Sequence, residues 1–282
     1  MTTMQKRKNR MNHHLPLVEL ENVSVAFDHP PAIHHVLRDI NLAIAQGEWL
    51  GIVGKNGSGK STLAKVITAI CPISRGKINI KNRSVQMVFQ NPEAQIVAET
   101  VFEEVCFGLE NQSFDPSLMK SRVREVLQQV GLRVPLDQSI SSLSGGQKQL
   151  LNIASCLAVD APLLIFDEAT AMLDPLARNK IIEIARQLHT NGQTIMWITQ
   201  WMEELAGVDR VIALEDGEIV FNGERQAFFY TTIEGSDISP CEQLGFTLPY
   251  VVQVAKHLLA LGRSLAFLPI SAEQFVQVVK NR

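Results

Sequence analysis

The stretch Gly54-Lys55-Asn56-Gly57-Ser58-Gly59-Lys60-Ser61 constrains this chain more than any other part of it. Its closely spaced glycines let the backbone enter left-handed conformations and turn its N–H groups toward one point. The flanks say what kind of turn this is. Trp49 to Val53 is a short apolar run, as in a strand buried on both faces. Downstream, Leu63, Val66, Ile67 and Ile70 recur on one helix face, and Pro72 ends the pattern. A strand, a glycine turn and a helix in that order are the context that G-x-x-x-x-G-K-[ST] requires for cradling phosphate oxygens. The expectation is a nucleotide site made of Gly54, Lys55, Asn56, Gly57, Ser58, Gly59, Lys60, Ser61 and Thr62. Lys60 would reach the β and γ phosphates, and the Ser61 hydroxyl would ligate Mg²⁺. The plain alternative is a glycine turn with no ligand.

A second apolar run, Leu163 to Phe166, ends in Asp167 and Glu168. A carboxylate at a strand end beside a phosphate loop can hold Mg²⁺, which is the role expected of Asp167. Glu168 is placed to polarise an attacking water as general base. Two acids can also end a strand at a surface with no role, but the phosphate loop upstream argues against that.

Around these two strands the pattern alternates strand and helix. Strands are expected over 17–27, 36–45, 78–80, 85–89 and 194–199, and helices over 98–109, 117–130, 145–158 and 175–189. Val211–Leu214 and Glu218–Phe221 flank Glu215-Asp216-Gly217, a hairpin signal. The fold class is α/β, with a mostly parallel sheet and an antiparallel β part at the start. Beyond about 225 the pattern changes, with Pro240, Gly245 and Pro249 before helices expected near 249–261 and 271–280. We divide the chain into a basic tail (1–16), a main domain (17–225) and a small C-terminal appendage (226–282).

Composition excludes several classes. With 46% apolar residues the chain can bury a full core and is not a disordered protein. Its 26 basic and 29 acidic side chains give a net charge of −3, so no global basic field points to nucleic acid as a partner. Cys71, Cys106, Cys156 and Cys241 are too far apart for a zinc knuckle or a CxxC redox pair. No apolar stretch is long enough to span a bilayer, and the first residues lack the apolar core of a signal peptide. The tail carries Lys6, Arg7, Lys8 and Arg10 and no acid. It reads as a solvated, disordered segment, or as an electrostatic touch on an anionic membrane.

Between the two motifs lies Leu143-Ser144-Gly145-Gly146-Gln147, a serine and a glycine turn that open a helix. With this pentapeptide in place, residues 17–225 resemble the P-loop ATPase domain of the ATP-binding cassette (ABC) family. The resemblance implies a helical subdomain over about 91–160. It places Phe27 against the adenine ring and Gln90 beside Mg²⁺ and the attacking water. Asp174, in Ala171-Met172-Leu173-Asp174, would communicate across a dimer. Two chains would pair head to tail, each ATP lying between one phosphate loop and the Leu143–Gln147 turn of the other chain. Phe89-Gln90-Asn91-Pro92-Glu93-Ala94-Gln95-Ile96 and Phe166-Asp167-Glu168-Ala169-Thr170-Ala171 are similar to the ATPases of energy-coupling factor transporters, importers of vitamins and transition-metal ions. That resemblance implies a peripheral protein on the cytoplasmic face of a prokaryotic membrane. Its expected partners are a second ATPase, a transmembrane coupling subunit and a membrane substrate-binding subunit, with the appendage helping the ATPases associate. Residues 91–110 would then grip the membrane partner, the alternative being an ordinary surface helix.

One position departs from the family. A histidine is expected after the strand that ends at Thr199, and this chain has Gln200. Glutamine donates through its amide but carries no charge. Gln200 is therefore a working replacement, or the mark of a slow site in an asymmetric heterodimer, the assembly we favour. The rival readings are the ATPase of another ABC transporter and a soluble ABC ATPase acting on ribosomes or DNA. The second would call for tandem cassettes or a coiled-coil insertion, and the sequence shows neither.

Overall fold

The computed structural model describes residues 16–29, 32–81, 84–232 and 238–280. The basic tail, apart from Pro16, lies outside the described residues. A six-stranded sheet forms the centre, in the order β5 (Val85–Val88), β6 (Leu163–Asp167), β7 (Thr194–Ile198), β3 (Trp49–Gly54), β8 (Arg210–Glu215) and β9 (Glu218–Glu224). All neighbours are parallel except β8 and β9, an antiparallel hairpin. Every residue of β3, β6 and β7 is buried, which is why Trp49–Val53 and Leu163–Phe166 read as apolar runs. β9 at the edge alternates exposed with half-buried. Its turn takes positive φ at Asp216 (48°) and Gly217 (81°), the pair of conformations a tight hairpin needs. A second, antiparallel sheet has the order β2 (Ala32–Ile44), β1 (Val18–His29), β4 (Arg75–Ile80).

The strand period of two sorts the core into two layers. Leu163, Ile165, Met196 and Ile198 face one cluster, with β1, β2 and helix α1 (Lys60–Ile67). Leu164, Phe166, Ile195 and Trp197 face the other, built with α2 (Val101–Asn111), α3 (Pro116–Gln129), α4 (Gly145–Ala158) and α5 (Pro175–Thr190). In that second layer Trp197 packs at 4.8 Å from Phe166 and 6.0 Å from Trp49.

Several element ends differ from expectation for identifiable reasons. The helix expected from 98 starts at Val101 because Thr100 and Glu103 form a capping box. The helix after the phosphate loop stops at Ile67, and Ala69 takes a φ of 59°. Ile70, expected on its core face, is therefore 59% exposed. The expected strand over 194–199 ends at Ile198, although the Thr199 N–H still donates to the Ile52 carbonyl of β3 at 3.1 Å and its hydroxyl to Glu204.

The appendage is α6 (Arg225–Tyr230), α7 (Pro240–Gln243), α8 (Tyr250–Ala260) and α9 (Ala272–Lys280). The boundary expected at 225 falls inside α6. Phe228 and Phe229 of that helix are fully buried, and Phe228 lies 5.1 Å from Phe221 of β9. Cys241, Leu248, Val252 and Ile270 belong to the same buried cluster as Trp49 and Trp197. Among the described residues no helix is long and apolar enough to cross a membrane.

Candidate nucleotide site

The phosphate loop links β3 to α1. Gly59 precedes α1 with a φ of 101°, and a Cβ there would stand 2.9 Å from the Val36 carbonyl and 2.7 Å from Leu37. Only glycine fits both the conformation and the gap. The Lys60 amine is buried and donates to the carbonyls of Gly54 (2.8 Å) and Lys55 (3.0 Å). It also lies 3.8 Å from Glu168. Burial pushes the Lys60 ammonium below its ordinary value, against the pull of Glu168 and Asp167.

Parallel pairing of β6 and β7 beside β3 brings the second motif to the same edge. Ser61 Oγ donates to Asp167 Oδ1 at 3.0 Å, so two of the three residues expected at Mg²⁺, the third being Gln90, are adjacent. Burial pushes the Asp167 carboxyl above its ordinary value, with Glu168 adding and Ser61 and Lys60 opposing. Among the described residues no three His, Cys, Asp or Glu side chains cluster as a metal cage. A hydroxyl and one buried carboxylate suit Mg²⁺, which is commonly held by one or two protein oxygens plus substrate phosphates. Ser58 Oγ is buried with no hydrogen-bond partner among the described residues, an unused donor inside the phosphate loop.

Glu168 takes a φ of 49°, rare for a residue with a side chain and found where surrounding structure enforces it. Its N–H is held by the Ile198 carbonyl at 3.0 Å. Gln200 Nε2 donates to Glu168 Oε1 at 2.8 Å and to Asn56 Oδ1 at 2.7 Å, joining three sequence motifs through one amide. Gln90, Glu168, Thr170, Ala171, Thr199 and Gln200 line one cleft. Phe27 is 41% exposed, an available aromatic face.

The Leu143–Gln147 turn is the start of α4. Ser144 and Gln147 cap it reciprocally: the Gln147 N–H donates to Ser144 Oγ, and the Ser144 N–H to Gln147 Oε1. Leu143 is buried beneath the turn, a Cβ at Gly145 would meet open space, and one at Gly146 would press on Ala177 Cβ at 3.1 Å. Asp174 caps α5, accepting from the N–H groups of Leu176 and Ala177 at 2.9 Å each. Ser144 and Gly145 are exposed, and Gly146 and Gln147 half-buried, so the turn faces solvent in this chain.

Other connections were not legible in the sequence. Gln149 is fully buried, and its amide donates to the Phe89 and Ala169 carbonyls, tying α4 to the neighbours of Gln90 and Glu168. Gln95 holds the same strand end through Met87 and Phe89. The available signal was a polar residue at a core-facing helix position. On the other side, Lys55 lies 3.8 Å from Glu215, and appendage residues Leu244 and Phe246 line the same cleft as Gly54–Ser58.

Comparison with known proteins agrees with this geometry. Residues 37–171 match the ABC transporter family. An energy-coupling factor transporter ATP-binding protein of Halalkalibacterium halodurans is 37% identical over 273 residues, covering 92% of this chain and 95% of that protein. One from Methanosarcina acetivorans is 38% identical over 256 residues, covering 86% and 89%. Among solved structures, cbiO1 from Clostridium perfringens, part of the ABC transporter complex cbiONQ, superposes with a TM-score of 0.69 at 28% identity, over 77% of this chain and 91% of that one. A dimeric, post-hydrolysis ATP-binding cassette bound to ADP and Pi superposes with a TM-score of 0.68 at 28% identity, over 75% and 100%. A phosphate loop, a strand carboxylate pair and a capped glycine turn on one cassette fold, with relatives alike over nearly their whole length, have one reading: the chain belongs to the ATP-binding subunits of energy-coupling factor transporters, ATPases of the ABC family that couple ATP hydrolysis to transport.

Proposed function

We propose that this chain powers import of a vitamin or transition-metal ion by hydrolysing ATP against a membrane partner. The observation that carries the reading is the Gln200 amide bridging Glu168 and Asn56, beside the Ser61–Asp167 contact. Phe27 stacks on adenine, and residues 54–62 hold the phosphates. Lys60 leaves its loop carbonyls for the β and γ oxygens. Ser61, Asp167 and Gln90 would hold Mg²⁺, which when bound neutralises charge on the phosphates. Glu168 takes a proton from the attacking water, and Gln200 keeps the carboxylate and the γ-phosphate aligned.

Leu143–Gln147 of this chain serves the ATP held by a second ATPase, and Asp174 lies where the two meet. We favour a different chain as that second ATPase, because Gln200 suits an unequal pair. Gln90 and residues 91–110 grip a transmembrane coupling subunit, which works with a membrane substrate-binding subunit. The protein then sits peripherally on the cytoplasmic face of the membrane. Residues 226–282 serve pairing.

The test separates binding from turnover in the assembled transporter. Lys60→Ala should lose ATP binding, because the charge on the β and γ phosphates goes. Glu168→Gln should keep binding and lose this site's hydrolysis. Full transport with Glu168→Gln would remove this site from the mechanism.

A further inference from the structure

Glu204 lies four residues past Gln200, on the short helical turn Met202–Gly207, and its side chain is 2% exposed. Burying a carboxylate is costly unless its oxygens are matched by donors. Here both are. Oε1 accepts from Thr170 Oγ1 at 2.7 Å. Oε2 accepts from Thr199 Oγ1 at 2.7 Å and from Trp197 Nε1 at 3.0 Å. Arg178 Nε stands 3.9 Å from Oε1, and the Arg178 guanidinium lies 4.2 Å above the Trp201 ring.

The donors come from separate pieces of chain, and each neighbours the site. Thr170 is two residues past Glu168, and Thr199 directly precedes Gln200. Thr199 Oγ1 also accepts from the Trp201 N–H at 2.9 Å, so both neighbours of Gln200 are fixed through one hydroxyl. Arg178 stands on the first turn of α5, the helix capped by Asp174. Packing alone does not call for this arrangement, since a buried ion replaced together with its polar partners by apolar side chains of similar volume is often neutral for stability.

We propose that Glu204 is a positioning residue for ATP hydrolysis. Its two oxygens clamp the segments that carry Glu168 and Gln200, and so keep the Gln200 amide on the Glu168 carboxylate. This rests on the reading of Glu168 and Gln200 as the catalytic pair.

The test is a comparison of backgrounds in the assembled transporter, with a distinct partner ATPase, where present, silenced at its own catalytic glutamate. Glu204→Ala should lower kcat about 10- to 100-fold while KM for ATP stays within about twofold, since misplacing a catalytic group costs rate rather than binding. Glu204→Gln should recover part of the loss. Its oxygen can accept from Trp197, and the Thr170 hydroxyl can turn to accept from its amide. In a Gln200→Ala background, Glu204→Ala should cost little further, because it acts through a side chain already removed. Equal losses in both backgrounds, or a fall in ATP affinity matching the fall in turnover, would overturn the proposal and leave Glu204 a fold residue. Thr199→Val carries the same comparison should Glu204→Ala not fold. Glu168→Gln is measured alongside. Turnover retained there sinks the catalytic reading itself, whereas turnover lost there with additive Glu204 effects sinks only the positioning role.

Discussion

Gln200 stands where the resemblance to ABC ATPases implies a histidine. A histidine at that position can donate with positive charge, and charge-assisted bonds are roughly twice as strong as neutral ones. The amide still donates, to Glu168 at 2.8 Å and Asn56 at 2.7 Å, so alignment survives without charge. Gln200→His should therefore raise single-site turnover, by less than tenfold. Gln200→Ala should lower it by about 10²-fold, the scale for losing one donor at a transition state. ATP hydrolysis with the partner's site silenced measures both, and a histidine variant no faster than the parent would show glutamine to be a full replacement. The phosphate-loop residues were legible because each role requires a residue type at a fixed offset within one short segment. Glu204 and Gln149 were not, because their bonds reach across 34 and 60 residues to Thr170 and Phe89. No local pattern encodes such a partner.

Elements were legible where burial is uniform or the cap is local. β3 and β6 stood out as apolar runs, and α4 begins where Ser144 and Gln147 place its cap. Ile70 fitted the helical spacing of α1, but the backbone had already turned at Ala69, a conformational choice that periodicity does not record. In the appendage, Glu242 closes the capping box of α7 with Ser239 and accepts from Lys256 of α8 at 2.8 Å. Partial burial pushes its carboxyl up, but Lys256 and Ser239 outweigh that and hold it below the ordinary carboxylate value. The folded value is depressed, so the stabilisation is present above about pH 4.5 and is lost as pH falls through the folded value. Glu242→Gln should cost about 1 kcal/mol at neutral pH. Amide hydrogen exchange over 239–256 should speed up in the variant at pH 7. The difference from the parent should shrink on acidification.

For the whole molecule, the α/β class and the antiparallel β part followed from the alternation of patterns, while the lower edge of the cassette did not. The composition change near 225 is real, yet Phe228 and Phe229 beyond it are fully buried, Phe228 against the half-buried Phe221. Removing one such phenylalanine costs about 3–5 kcal/mol, and losing two approaches the whole stability of a domain. A chain ending at Gly223 should fail to give a cooperative thermal transition. One ending at Thr232 keeps both phenylalanines but loses Cys241, Leu248, Val252 and Ile270 from the same core, so it should fold with a clearly lower melting temperature, bind nucleotide and associate less well with its partner ATPase, as read by sedimentation of the two together. Unchanged association would mean that the appendage covers only its own domain.

Leu244 and Phe246 give the appendage a share in the wall around Gly54–Ser58. Grafting this appendage from one such ATPase to another, to redirect which chains pair, therefore also rebuilds part of the rim around the triphosphate. Under the pairing role proposed for residues 226–282, partner choice and nucleotide handling would share one part of the chain.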